Sequence, residues 1–211
     1  MREPVVQEGR CGALEWAVCA SAYPGEMRSG DAFLVHQTTA GVLVAVVDGL
    51  GHGEEAADVA ERAVVSLRET AGQSLVRAVT ACHGALRGSR GVVMTLAALA
   101  SDRVHLSWVA VGNVEAAVLR PHQVGGVMSR RSVLPRAGVL GDRLPPLRES
   151  TVDLAAGDTL IAATDGLSPA FLDAVDLSLE PLALARTLHG DYAREDDDAL
   201  VLVARGDAPD T

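Results

Sequence analysis

Four aspartate-bearing junctions constrain this 211-residue chain more than any other feature. Asp31 follows Gly30 and opens an apolar extended run, Asp48-Gly49 closes another, Asp165-Gly166 closes a third, and Asp196-Asp197-Asp198 opens the last. A carboxylate buried at a strand end is costly unless a partner charge or a cation compensates it, and several gathered at one sheet edge repel one another. A divalent cation resolves both problems. Short, hard carboxylates without closely spaced His or Cys suit magnesium or manganese better than zinc. Glycine after Asp48 and after Asp165 lets the backbone come close, so that a main-chain carbonyl can serve as a further ligand. Two ions on the order of 3.5–4 Å apart would activate a bridging water for in-line attack at phosphorus. Asp-Gly is also the commonest turn dipeptide, which explains any one of these sites taken alone. Turn chemistry gives no reason for aspartate to recur at all four.

The rest of the chain reads as sheet divided by helix. Extended segments are expected at Leu14 to Ala22, Asp31 to Gln37 and Val42 to Val47, separated by Pro24-Gly25 and Ser29-Gly30. The period then changes: Ala56, Ala60, Ala63, Val64 and Leu67 share one helical face, and Leu75, Val79, Cys82 and Leu86 another. Strands resume at Val92 to Ala100 and Val104 to Val111, with a hairpin-like turn at 101–103, and continue from Glu115 to Leu119. Residues 121–150, rich in Gly and Pro, read as an irregular surface flap. A strand at Thr159 to Ala163, a short helix after Gly166, a helix from Pro181 to Leu188 and a strand at Ala199 to Ala204 complete the pattern. The fold class is α+β. With no repeat or linker, residues 1–211 are expected to form one domain with a core at about 14–205.

The chain is 48% apolar with only two Trp, two Tyr and two Phe, so its core must be aliphatic. No apolar run reaches the roughly 18 residues of a membrane span, and the N-terminus lacks a signal-peptide pattern, so a cytoplasmic location without membrane association is expected. A net charge of −10, with no basic run interleaved with aromatics, argues against nucleic acid as a partner. Cys11, Cys19 and Cys82 match neither a disulfide framework nor zinc-ligand spacing and are expected reduced and buried. Position 88, six beyond Cys82, is glycine, which excludes a cysteine-dependent phosphate loop, and no Walker-type segment is present.

The segment Val44-Ala45-Val46-Val47-Asp48-Gly49-Leu50-Gly51-His52-Gly53, followed by an Ala-rich helix, resembles the signature of the SpoIIE-type branch of PPM metal-dependent phosphatases. Other motifs follow in the family's order: Gly30-Asp31, Arg90 to Thr95, Val111-Gly112-Asn113, Ala163 to Leu167 and Asp196 to Ala199. Stand-alone size and the Val-Gly-Asn segment look nearest to RsbX-type members. The resemblance implies a sandwich of two antiparallel sheets flanked by helices, with two Mn2+ (or Mg2+) at one end. It implies that Asp48 bridges both ions, that the Gly49 carbonyl binds one, that Asp165 and Asp197 complete the other, and that Asp31 joins the metal set by orienting metal-bound water. Asp197 is selected as the first Asp of the family's Asp-Asp-x-Thr pattern, with Asp196 one step away and Leu200 standing where Thr or Ser is usual.

The resemblance further implies a monomeric phosphoserine/phosphothreonine protein phosphatase acting on a phosphorylated STAS-domain or stressosome protein. Alternatives are a phosphatase for a soluble anti-anti-sigma factor and an inactive module that binds phosphorylated partners; retention of Asp31, Asp48, Asp165 and Asp197 speaks against the second. Alongside Asp31 and Asp48, His52 is a candidate catalytic group, as proton donor to the leaving oxygen. Arg28 is read as a solvated arginine in preference to a phosphate contact. His36, His83, His105, His122 and His189 lack mutual metal-ligand spacing and are assigned packing or surface roles.

Overall fold

The computed structural model describes residues 3–102, 104–121 and 128–206. The strands alternate between an inner and an outer face, and on most of them both faces are apolar. In β4 (Gly41–Gly49), Val42, Val44 and Val46 face one hydrophobic cluster while Leu43, Ala45 and Val47 face another. β11 (Ala199–Gly206) does the same, with Leu200, Leu202 and Ala204 on one side and Ala199, Val201 and Val203 on the other. A strand covered on both faces must lie inside a layered structure.

Two antiparallel sheets satisfy this. One runs in the order β1 (Val5–Cys11), β2 (Leu14–Ser21), β11, β10 (Thr159–Ala163), β7 (Glu115–Arg120), β8 (Ser129–Ser132). The other runs β3 (Asp31–Thr38), β4, β5 (Val92–Ala100), β6 (His105–Val111), β9 (Ser150–Asp153). Inner faces meet over a core that includes Val44, Val46, Trp108, Leu160 and Leu202. Helices α1 (Glu54–Glu69) and α2 (Leu75–Ala85) cover the second sheet, and α3 (Pro181–Tyr192) with a 3-10 turn at Pro169–Asp173 covers the first. This is the expected α-β-β-α sandwich.

The helices expected after β4 and in the last third are present, and the short helix after Gly166 is the 3-10 turn. Three strands were not expected: β1, and β8 and β9 within or beside the segment read as irregular. All three lie at sheet edges and carry polar or charged residues such as Gln7, Glu8, Arg130, Arg131 and Asp153. Cys19 and Cys82 are buried and free as expected, whereas Cys11 is only partly buried. His122 lies outside the described residues. Among the described residues no helix is long and apolar enough to cross a membrane.

One close approach positions the site. α1 packs so tightly on the end of β4 that a Cβ on Gly49 would fall 2.4 Å from the Ala56 carbonyl oxygen. Gly49→Ala is expected to lower unfolding stability by about 2 kcal/mol, in the range of overpacking costs. Gly190→Ala, on an exposed turn of α3 with nothing near its Cβ, is expected to raise it by about 0.5–1 kcal/mol. Urea unfolding of both variants checks the contrast.

Candidate functional site

Strand register brings the sequence-marked aspartates to one end of the sandwich. Asp31 and Asp48 are direct partners across the β3–β4 ladder. Both continue the inner-face series of their strands, Phe33 and Val35 on β3 and Val42, Val44 and Val46 on β4. On the other sheet, Thr164 and Asp198 continue the inner-face series of β10 and β11. Asp165 and Asp197 sit in the adjoining turns, Asp165 exposed and Asp197 partly buried.

Several side chains hold this end in place. The Thr164 hydroxyl donates to Asp31 Oδ2 at 2.7 Å and accepts from the Leu200 backbone N–H at 3.0 Å. Asn113 Nδ2 donates to Asp165 Oδ2 at 2.7 Å. The turn carrying Asn113 is pressed onto β5: Thr95 Oγ1 donates to the Val114 carbonyl at 2.8 Å, and Gly112, at φ 96°, leaves no room for a Cβ against Val93. The backbone N–H of Tyr23 donates to Asp198 Oδ1 at 2.7 Å. Sequence reading flagged Val111-Gly112-Asn113 and Ala163 to Leu167 as motifs but gave Asn113 and Thr164 no role. Asp198 was marked as part of the Asp196-Asp197-Asp198 junction without a role of its own, and Tyr23 carried no signal.

Electrostatically the end is strained by like charge. Burial pushes the Asp48 carboxyl up to about 8, and Asp165, Asp197 and Asp198 push in the same direction. Burial and then Asp48 also raise Asp31, against the lowering effect of its bond from Thr164. Burial and Asp165 raise Asp197. Asp198 Oδ2 is buried without a hydrogen-bond partner. Among the described residues, no three His, Cys, Asp or Glu side chains already converge closely enough to enclose an ion. The chemistry of the donor set nevertheless fits a hard divalent cation: oxygen donors only, mutual repulsion and a buried orphan oxygen.

The remaining candidates divide. His52 is half-exposed, with Nδ1 3.0 Å from Glu26 Oε1 and its ring stacked on Tyr23 at 4.1 Å. Arg28 lies at the surface, a third exposed, and its guanidinium is engaged by a stripe of carboxylates along α1, Glu54 at 2.5 Å and Asp58 and Glu61 at 2.7 Å. Arg28 is thus a surface arginine as expected, with the added role of pinning the β2–β3 loop to α1. His83 accepts from the Gly141 N–H, His105 pairs with Asp102 and His189 with Ser21. Asp196 is exposed.

The model of the family described as stage II sporulation protein E (SpoIIE) matches residues 38–206. A chain solved in work on the bacterial stressosome, described as a modular system adapted to control secondary messenger signaling, is 32% identical. That match covers 91% of this chain and 99% of the other, with a TM-score of 0.80. RsbX in complex with magnesium is 20% identical over 96% of this chain and 100% of its own, with a TM-score of 0.81. The catalytic domain of the serine/threonine protein phosphatase PstP, in complex with two manganese ions, is 18% identical over 92% and 98%, with a TM-score of 0.67. Identities this low carry the fold alone for the last two. The first two superpose equally well, so no single relative stands out and the expected particular nearness to RsbX is not distinguished. Among curated proteins none matches the sequence.

Burial of Asp48 and the like charge around it set a pH dependence. A carboxyl raised to about 8 in the folded protein, against about 4 unfolded, contributes stability that is full below pH 4 and falls as pH rises toward 8. Metal-free protein is therefore expected to unfold at a lower temperature at pH 8 than at pH 6. Added Mn2+ should raise the unfolding temperature more at pH 8, where it displaces fewer protons. Asp48→Asn should flatten the metal-free dependence. Thermal unfolding of both proteins at the two pH values decides it, and equal wild-type stability at both contradicts the assigned crowding.

Proposed function

We infer the activity from the premise that this chain belongs to the SpoIIE family of PPM-type phosphatases, whose model covers most of its length. On that premise the chain is a metal-dependent phosphoserine/phosphothreonine protein phosphatase. The observation that carries the reading is the convergence of Asp31, Asp48, Asp165 and Asp197 on one end of the sandwich, where burial and then the neighbouring carboxylates raise the Asp48 carboxyl to about 8. A purely structural use of these residues would not favour collecting like charges in a partly buried place.

Asp48 would hold both ions and the Gly49 carbonyl one of them, Asp165 and Asp197 would complete the ligands of the second, and Asp31 would orient the attacking water. Bound Mn2+ or Mg2+ would neutralise charge on the phosphoryl oxygens and lower the pKa of water. Thr164 fixes Asp31 and Asn113 fixes Asp165 through their hydrogen bonds. His52, on the loop after Asp48-Gly49, is proposed to give a proton to the seryl or threonyl oxygen as its bond to phosphorus breaks and the bond from water forms.

A phosphorylated STAS-domain protein is the proposed substrate, supported by the likeness to a chain studied in the bacterial stressosome. We place the protein in the cytoplasm, acting as a monomer in stress or sigma-factor signalling without nucleic acid or membrane. The inactive phospho-binding alternative is disfavoured because every proposed metal aspartate is present.

The test is hydrolysis of p-nitrophenyl phosphate with Mn2+, with Mg2+ and with chelator, followed by a phosphorylated STAS-domain protein. Turnover that requires a divalent ion is expected. Asp48→Asn should reduce it by about a thousandfold, the loss that follows when several kcal/mol of transition-state charge stabilisation disappear. Near-normal turnover in a folded Asp48→Asn protein would overturn the site. Stoichiometric binding of the phosphoprotein without turnover would favour the binding module.

A further inference from the structure

We propose that Glu26 is a positioning residue for His52, fixing which ring nitrogen is left to meet a substrate; its catalytic consequence rests on the phosphatase reading above. Four observations converge on the turn from Tyr23 to Glu26. The Glu26 N–H donates to the Tyr23 carbonyl at 3.0 Å, folding the Pro24-Gly25 segment back on itself. That turn places the Tyr23 ring flat against His52, 12° from parallel, and brings the Glu26 carboxylate to His52 Nδ1.

On its other side the carboxylate lies against the entrance to α1. A Cβ on Gly53 would sit 2.8 Å from it, and Gly53 has φ 76°, a conformation that favours glycine. The glycine after His52 therefore leaves the space that Glu26 occupies. The turn is anchored at both ends, by the Tyr23 N–H on Asp198 and by Arg28 on three carboxylates of α1. Hence the orientation of His52 is tied directly to the end of β11 that carries the candidate metal aspartates.

A carboxylate at Nδ1 accepts a hydrogen bond and so keeps a proton on that nitrogen, leaving Nε2 as the site of gain or loss. Tyr23 restricts the ring plane without competing for a nitrogen. Glu26 does not touch the reacting atoms in this scheme; it acts through His52.

Two readouts test the assignment in the full chain. Imidazole nitrogen NMR, at a pH where the ring is neutral, should show His52 with its proton on Nδ1, and Glu26→Ala should move it toward Nε2. An unchanged tautomer overturns the proposal. In Mn2+-dependent turnover, Glu26→Ala is expected to lose about tenfold on phenyl phosphate, whose leaving group needs a proton, and under about twofold on p-nitrophenyl phosphate. Glu26→Gln, which keeps an acceptor oxygen, should retain most of the phenyl phosphate activity. Glu26→Ala combined with His52→Ala should be no worse than His52→Ala alone. Equal losses on both substrates, or additive losses in the double variant, overturn it. A wild-type protein that turns over neither substrate sinks the phosphatase reading, and the tautomer measurement alone then decides whether Glu26 positions the ring.

Discussion

Like charge gathered where the inter-sheet core meets solvent is the constraint on which the rest of this end of the molecule depends. The interior between the sheets is apolar along its length, mostly aliphatic with Trp108 among it, and a strand that continues its inner-face series must put the next alternate residue on the same side. At β3 and β4 that residue is Asp31 and Asp48; at β11 it is Asp198. The sandwich is thus stoppered by carboxylates from both sheets. The charges acting on Asp48 are further carboxylates, and each makes its ionisation harder. Without a compensating charge the folded chain favours protons there, and the oxygen-only donor set is the kind that suits a hard divalent cation.

The loop after β2 and the turn after β6, each on its way to the other sheet, supply a partner to an aspartate at this end. The loop from β2 to β3 brings the Tyr23 N–H to Asp198. The turn from β6 to β7 brings Asn113 to Asp165. Both bonds continue ladders of the first sheet, β2 with β11 and β7 with β10, past their last paired residues, so the loops leave that sheet only after an aspartate has been fixed. The ion pairs of Arg28 with α1 tie the β2–β3 loop to the helix that follows Asp48-Gly49. Exposed ion pairs contribute little one at a time. Their shared cation makes them a restraint on geometry more than a store of stability.

The sequence made the architecture legible wherever side-chain burial dictated it. β4, β5, β10 and β11 have apolar residues on both faces, and α1 and α2 show an apolar stripe at helical spacing, so pattern alone suffices. β1, β8 and β9 lie at sheet edges, where backbone pairing to a neighbour does what an apolar face does elsewhere; residues such as Gln7, Arg131 and Asp153 carry no periodic signal of that. The aspartates were legible because Asp at a strand end is chemically odd. Their partners were not. Thr164 meets Asp31 across 133 positions and Tyr23 meets Asp198 across 175, separations that only the strand order closes. The partners of Arg28 were hidden for the same reason, since its acidic stripe becomes a single surface only once α1 is formed and the loop lies on it.

Leu200 shows how such a departure is absorbed. Its side chain faces the inter-sheet core and is 1% exposed, so a hydroxyl at that position would itself need a partner in an apolar setting. Thr164, on the neighbouring strand, supplies a hydroxyl instead: it accepts from the Leu200 N–H and donates to Asp31, while its own N–H bonds the Leu200 carbonyl. One side chain therefore closes the β10–β11 ladder and fixes the orientation of Asp31. Position 200 is left free to fill the core because the polar work at the end of these two strands is done one strand over.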